Sequence, residues 1–357
     1  MFSPILRALH CSKIKYFIIH TGQHYSYNMD KKFFEDLNLP EPEYKLENVK
    51  DFYLHGEQTA GMLKGIEKIL VKEKPKITLV GGDANTNLAG ALAARKLHIR
   101  VGHVEAGERS GDWRMPEEHN RIIIDHISEY LFATNKKAKE NLILDNIKGK
   151  IFITGNPIVD AAYQNLKIAR SKSQVLEKMK LKSDEYILMT LHREENVDNV
   201  ENLRCVFKGL SLICKDIRKK IIFLAHPRTV KRINEFGLNN ILRPIHCLQI
   251  EEPVGYLDFL NLLVHSSLVM TDSGGVQQES CILKIPCVTL RDNTEWIETL
   301  EISANILVGV SPKKILEGTT IMLRSGRMWD NPFGDGFSAK KIVNIIENDI
   351  TMKGDKT

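Results

Sequence analysis

Val101–Arg121 reads VGHVEAGERSGDWRMPEEHNR, and the architecture follows from how this stretch changes character along its length. The apolar run IRVGHV (99–104) ends directly in Glu105. A polar loop with Gly107 and Gly111 follows, and Met115-Pro116-Glu117-Glu118 opens a helical pattern that carries Arg121. A short apolar run bounded by turn residues reads as a buried strand, here one that feeds a helix. Five acids and three arginines gather beyond its C-terminal end. A packed core has no use for that arrangement; a site for an anionic ligand does.

The same rhythm recurs on both sides. KYFIIH (15–20), KITLVGG (76–82), YLFATN (130–135) and KIFITGN (150–156) read as strands in the first half. YILMTLH (186–192), IIFLAH (221–226), HCLQI (246–250), LVMTDS (268–273), PCVTL (286–290) and ANILVG (304–309) do so in the second. Helical patterns fit 56–73, 85–97, 117–128, 136–145, 199–214, 255–265, 275–283 and 311–324. Alternation of this kind predicts parallel sheets covered on both faces. At 357 residues the chain exceeds one ordinary core, so two α/β Rossmann-like, doubly wound domains are expected. The lysine-rich, weakly patterned stretch 158–184 reads as the connector.

Composition narrows the function classes. Hydrophobic residues are 43%, charged residues 27%, and no apolar run is long enough for a membrane span. MFSPILRALHCSKIK is too short and polar for a signal peptide. Six cysteines without a C-x-x-C pair, mostly in apolar runs, fit free thiols in a reducing cytoplasm. A net charge of +5 with 7% aromatics gives no basic, aromatic-interleaved stripe, so nucleic acid is not expected. No metal-ligand spacing, G-x-S-x-G elbow or G-x-G-x-x-G fingerprint occurs, so neither a metal nor a nicotinamide or flavin cofactor is expected.

In doubly wound sheets ligands bind beyond the C-terminal strand ends. That filter selects Asp83, Glu105, His192 with Arg193, His226 with Arg228, and Asp272 with Ser273, with contributions from both domains that suggest an interdomain cleft. Ser273-Gly274-Gly275 reads either as an ordinary Gly-rich turn or as the opening of a helix whose N-terminus suits a diphosphate, with Glu279 about one turn on. Glu117 and Arg121, spaced i, i+4, read either as a surface ion pair or as part of the site. Asp83 could instead cap the helix at 85–97. His103 reads as a hydrogen-bonded core residue, and Trp113 and Trp296 read either as packing or as rings that stack on something planar.

GGDANT, VGHVEAGERS…MPEEHNR, TGNPIVD, TLHREEN, TDSGGVQQES, LRDNTE and NPFGDG, in that order, closely resemble the non-hydrolysing UDP-N-acetylglucosamine 2-epimerases and related UDP-sugar 2-epimerases. The resemblance implies a two-domain GT-B fold with the active site between the domains. It places an N-terminal domain at 1–165 on the sugar side, a UDP-binding domain at 166–336 and a final helix in 337–357 that returns to the first domain. It also implies a cytoplasmic homodimer without cofactor or metal, acting in cell-surface polysaccharide synthesis. The family expels UDP from C1 while C2 loses its proton, then adds UDP back to the 2-acetamidoglucal with inverted C2. By motif, Asp83, Glu105 and Glu117 are the acid/base and charge-stabilising candidates. His192 and Arg121 hold or neutralise substrate and diphosphate, with Arg193 and His226 among the substrate-binding residues. Ser273, Gly274 and Gly275 take the phosphates and Glu279 the ribose. Gln23 and His24 match a segment that in some relatives binds a second, activating substrate molecule.

Three departures qualify the resemblance. Glu194 stands where the histidine motif often has a second arginine. LRDNTEWIET and the RMPEE turn lean toward relatives acting on UDP-2,3-diacetamido-glucuronate sugars. The chain also opens on a helix, MFSPILRALH, without the strand and Gly-Thr-Arg-Pro-Glu loop with which the family begins. A truncated start or an internal Met1 is therefore expected, with an unfilled place in the first sheet and weak activity. A GT-B glycosyltransferase, a hydrolysing 2-epimerase and a sugar-nucleotide binder without activity are the competing readings.

Overall fold

The computed structural model describes residues 1–22, 31, 34–46, 49, 54–217 and 219–352, the last three without their side chains. The chain forms two compact units, Met1–Ala161 with Phe333–Thr357, and Ala162–Pro332.

In the first unit, β3 (Ile77–Gly81), β4 (Arg100–Ala106), β5 (Tyr130–Ala133) and β6 (Lys150–Ile153) form a parallel sheet in that order. β1 (Ile19–His20) and β2 (Tyr44–Lys45) form a separate parallel ladder. The expected strand at 15–20 is therefore reduced to two residues, and β2 is a strand the sequence pattern did not show. The physical cause lies at Ile18, whose N–H donates to the Glu43 carboxylate at 2.7 Å instead of extending the ladder. Helices α1 (Phe2–Cys11), α2 (His55–Glu73), α3 (Asn85–Lys96), α4 (Pro116–Ile127), α5 (Lys136–Leu144) and α6 (Pro157–Lys172) intervene. Side-chain alternation along the strands splits the core. Val80 and Val101 face Met62, Ile66 and Leu70 of α2 and the alanines of α3. Leu79 and Val104 face Ile5 and Leu9 of α1.

Residues 158–184, which read as a weakly patterned connector, contain most of α6. Val159, Ala162, Leu166 and Ala169 recur at helical spacing and are buried, so α6 has an apolar face that its lysines do not disturb. The two units meet in sequence within this helix, at Ala161 and Ala162.

The second unit is a six-stranded parallel sheet built from β7 (Tyr186–Leu191), β8 (Lys220–Ala225), β9 (Leu248–Glu251), β10 (Leu268–Thr271), β11 (Cys287–Thr289) and β12 (Asn305–Leu307). Its order is β12-β11-β10-β7-β8-β9. The order reverses between β7 and β10, the topological switch point at which such sheets bind ligands. α7 (Val200–Asp216) sets Leu203, Val206, Phe207, Leu210 and Ile213 against this sheet. Each such burial contributes about 2 kcal/mol. Asn199 caps that helix, its side chain accepting from the N–H groups of Glu201 and Asn202 at 2.9 and 3.2 Å. α8 (Pro227–Glu235), too polar to announce itself in the sequence, buries only Thr229 and Ile233. α9 (Tyr256–His265), α10 (Gly274–Ile282) and α11 (Pro312–Arg324) complete the unit.

The chain re-enters the first unit at Phe333 and ends in α12 (Ser338–Met352). Ala339, Ile342, Val343 and Ile346 of α12 share the cluster of α1. Asp349 fixes the far end of α12 to Arg100 at 3.1 Å and Lys150 at 2.7 Å.

Candidate functional site

The first cluster lies where β3 and β4 end. β4 carries an irregularity: its register with β5 shifts between Val104 and Ala106, leaving Glu105 with a φ of +70°. A left-handed backbone costs a non-glycine residue about 1–2 kcal/mol, and bulges of this kind re-aim a side chain. Neighbouring bonds hold the bulge. The Gly82 N–H donates to the Val104 carbonyl at 3.0 Å, and the Gly107 N–H to Asp125 at 3.1 Å. Asp125 is fully buried and is also met by His103 Nδ1 at 2.6 Å and the Arg109 guanidinium at 2.7 Å. The other His103 ring nitrogen lies 3.2 Å from the Gly82 carbonyl. The strand, the loop and α4 are thus tied into one frame around Glu105.

The Glu105 carboxyl is pushed from its ordinary value near 4.5 up to about 7. Burial is the main cause; a hydrogen bond from Asn156 opposes it, and the negative charges of Glu108 and Asp83 add to it. Asp83 has a different environment. Its carboxylate accepts from Arg121 Nε at 3.0 Å and a terminal guanidinium nitrogen at 2.5 Å. Its expected alternative role as a helix cap is not found: Ala84 is the N-cap residue of α3, without a side-chain cap bond. The expected Glu117–Arg121 pairing is also corrected. Arg121 bonds Glu118 at 2.7 Å, i, i+3, while Glu118 also accepts from Ser110 and Gly111 and so closes the loop after β4. Glu117 sits half-buried in the first turn of α4. Arg121 bridges two carboxylates with little exposure. Arg121→Met is expected to cost about 3 kcal/mol of stability, the price of leaving partly buried charges uncompensated. Urea unfolding at pH 7.5 measures this, and a loss below about 1 kcal/mol would show a mere surface pair.

The second cluster lies at the switch point between β7 and β10. Asp272 is fully buried and accepts from the backbone N–H groups of His192 and Arg193, from Asn196, and from His192 Nδ1 at 3.2 Å. Burial works against its charge, but these donors outweigh it and hold the carboxyl below its usual range. They also orient the partly exposed His192 ring. Ser273 precedes α10, whose first-turn N–H groups have no partner within the helix. Gly274 is held by Trp296, whose indole N–H donates to its carbonyl at 2.8 Å, so this tryptophan is pinned rather than free to stack. Gly275 is exposed, with open space where a side chain would be. Glu279 accepts from the Tyr256 hydroxyl at 2.7 Å, and burial raises its carboxyl. The Arg193 guanidinium lies 3.6 Å from Glu295. His226 Nδ1 accepts from the Arg228 N–H at the start of α8, so one ring nitrogen serves as a helix cap.

A family model described as UDP-N-acetylglucosamine 2-epimerase matches residues 7–347. A UDP-N-acetylglucosamine 2-epimerase from Methanococcus maripaludis is 54% identical over 347 residues, covering 96% of this chain and 94% of the relative. The chain belongs to this family. The solved UDP-GlcNAc 2-epimerase from Methanocaldococcus jannaschii superposes with a TM-score of 0.89 at 53% identity, covering 97% of this chain and 96% of that one. A UDP-2,3-diacetamido-2,3-dideoxy-D-glucuronate 2-epimerase from Pseudomonas aeruginosa is 40% identical, over 92% of this chain and 90% of the relative. An α,α-trehalose 6-phosphate synthase structure from Burkholderia multivorans, at 13% identity and a TM-score of 0.53, shares the fold.

Membership gives the two clusters a common frame: an α/β protein of two Rossmann-like units. Asp83, Glu105, Glu117 and Arg121 share the first unit, and His192, Arg193, His226, Ser273, Gly274, Gly275 and Glu279 the second. Gln23 and His24 lie outside the described residues. Asp125, Asn156 and Tyr256 support the candidates but were not among them, while Asp272, selected at its strand end, supports His192 and Arg193 from beneath. A polar residue inside an apolar run was the available signal for Asp125, in IIIDHI. Among the described residues no cluster of three His, Cys, Asp or Glu could hold a metal ion, and no helix is long and apolar enough to cross a membrane.

Proposed function

We propose that this member of the family interconverts UDP-N-acetylglucosamine and UDP-N-acetylmannosamine. The observation that carries the reading is the contrast between two carboxylates beyond adjacent strands. Asp83 is neutralised by Arg121, while Glu105 is raised to about 7 and can both take and return a proton near neutral pH. The C2 hydrogen of the closed sugar ring has no adjoining carbonyl to acidify it. Departure of UDP supplies the driving force instead: the C1–O bond breaks, its electron pair leaves with the β-phosphate, and the C2–H electrons become the C1=C2 bond of a 2-acetamidoglucal. The proton passes to a carboxylate. Return of UDP to C1 and of a proton to the opposite face of C2 completes the inversion.

In this reading the first unit holds the sugar, with Glu105 and Glu117 exchanging protons and Asp83 and Arg121 shaping the charge around them. The second unit holds UDP: the start of α10 at Ser273, Gly274 and Gly275 takes the phosphates, Glu279 the ribose, and His192, Arg193 and His226 balance the departing charge. The higher identity to UDP-N-acetylglucosamine epimerases favours that substrate over a diacetamido-glucuronate sugar. A cytoplasmic homodimer acting in surface polysaccharide synthesis, without metal or organic cofactor, fits this chemistry.

Incubation with UDP-N-acetylglucosamine in deuterated water, followed by NMR, tests the reading. An equilibrium pair of UDP-sugars with deuterium at C2 is expected. Free N-acetylmannosamine with UDP would indicate hydrolysis. Unchanged substrate accompanied by a raised melting temperature would indicate a binder.

A further inference from the structure

Asn156 follows β6 and is buried, with 4% of its surface exposed. All its polar groups are engaged. Its Oδ1 accepts from the Ile158 N–H at 3.0 Å and its carbonyl from the Val159 N–H at 3.1 Å, which caps α6. Its own N–H donates to the Phe333 carbonyl at 2.9 Å, where the chain re-enters the unit. Because Oδ1 is committed to the cap, the amide cannot turn over. Nδ2 must be the group that faces Glu105, and it donates to Oε1 at 2.8 Å.

We propose that Asn156 is a positioning residue for the reaction, assigning the two oxygens of Glu105 different tasks: Oε1 is held as an acceptor and Oε2 exchanges the proton. This rests on the epimerase reading above. A carboxyl oxygen already receiving an N–H bond is the less basic of the two, so the proton goes to the other oxygen. Oε2 is the oxygen on the Gly82 side, about where the ends of β3 and β4 meet. Asn156 also ties this choice to the chain passage. Gly155 (φ +87°) and Gly334 pack backbone to backbone, Ser338 donates to the Gly155 carbonyl at 2.7 Å, and Asp160 accepts from the Ser338 and Ala339 N–H groups at 3.1 and 3.0 Å. The charged groups that act on Glu105 are Asp83 after β3, Glu108 in the loop after β4 and the amino group of Met1. Asn156 is the neutral donor among them.

Asn156→Ser and Asn156→Asp test this, because both residues cap helices well and preserve the start of α6. Serine is too short to cap α6 and reach Glu105; aspartate has no N–H and adds a like charge. Loss of the donor raises the Glu105 carboxyl. The acidic limb of kcat/KM against pH should then move up by about one unit in Asn156→Ser and further in Asn156→Asp. At pH 6.5 the serine variant should retain about one tenth of wild-type kcat/KM. The 13C resonance of the Glu105 carboxyl, assigned by its absence in Glu105→Gln, should titrate with the same displacement in the folded protein. A limb and a resonance that both stay at the wild-type position would overturn the proposal, even if kcat falls. Absence of C2 exchange in the wild type would sink the epimerase reading alone, and the 13C titration would still decide the role of Asn156.

Discussion

Glu105→Gln is expected to lower C2 exchange by about 10²–10⁴-fold, the range associated with a positioned acid or base. The amide keeps the size of the carboxyl and can still accept the Asn156 bond through its oxygen, so the loss reads proton transfer rather than collapse of the bulge. The same substitution should stabilise the protein at alkaline pH. The folded-state value, about 7, lies above the ordinary value near 4.5, so folding favours the protonated form. The stability this group contributes is fully present below pH 4.5 and is lost as pH rises through 7. Glutamine does not titrate and escapes that loss. At pH 8 the variant should exceed wild type by on the order of 3 kcal/mol, a difference that shrinks toward zero near pH 4.5. Urea unfolding at the two pH values checks this. Equal stability at pH 8 would mean that Glu105 is not strained in its charged form, and unchanged exchange would remove it from the catalytic set.

Gly107→Ala should produce the largest loss of stability among single methyl additions in this loop. Gly107 has a φ of +84°, and a Cβ there would stand 2.2 Å from the Ala138 carbonyl oxygen and 2.8 Å from its carbon. Backbone cannot move aside as a side-chain tip can. Nor can Gly107 retreat, because its N–H is bound to Asp125 and its carbonyl to Asn141 at 2.9 Å. We expect a cost of about 4 kcal/mol or more, with a falling m-value-independent midpoint in urea, and loss of turnover as the Glu105 bulge is displaced. Gly111→Ala is the control. Its φ is also positive, +70°, but no atom lies within 4 Å of the added carbon, so only the backbone penalty of about 1 kcal/mol applies. Similar losses in the two variants would show that the Ala138 contact is not limiting.

The contrast between these glycines marks the reach of sequence reasoning. Both stood out as loop glycines after IRVGHV, and nothing local separated them; only the approach of α5 does. The alternation of short apolar runs and helical patterns located most strands to within a few residues, because each strand buries both faces and must be continuously apolar. It failed where burial was one-sided or partners were distant. The stretch 158–184 looked weakly patterned because the buried face of α6 mixes alanines and the polar Asp160 and Asn165 with few large apolar residues, Val159 and Leu166 among them. β2, two residues long, has no pattern to detect.

At the site, strand ends pointed to Asp83, Glu105, His192 and Ser273 before any geometry was known, since parallel sheets place their functional loops there. The choice of partner was not legible. Glu117 and Glu118 are adjacent in sequence, yet Arg121 meets Glu118, because the loop at Ser110 and Gly111 has already drawn that carboxylate inward. Asp272 was visible at a strand end, but its task of seating the His192 turn requires β7 and β10 to be neighbours across the switch point. Asn156, distant in sequence from Glu105, gave no sign of that contact. Amino-acid order by itself determined the layered α/β architecture, the family and the strand ends that carry the candidate residues, because those follow from periodicity and local motif. Tertiary structure alone decided which carboxylate is neutralised, which is raised toward neutral pH and which of its oxygens Asn156 bonds. Those properties arise from burial and from bonds between residues far apart along the chain.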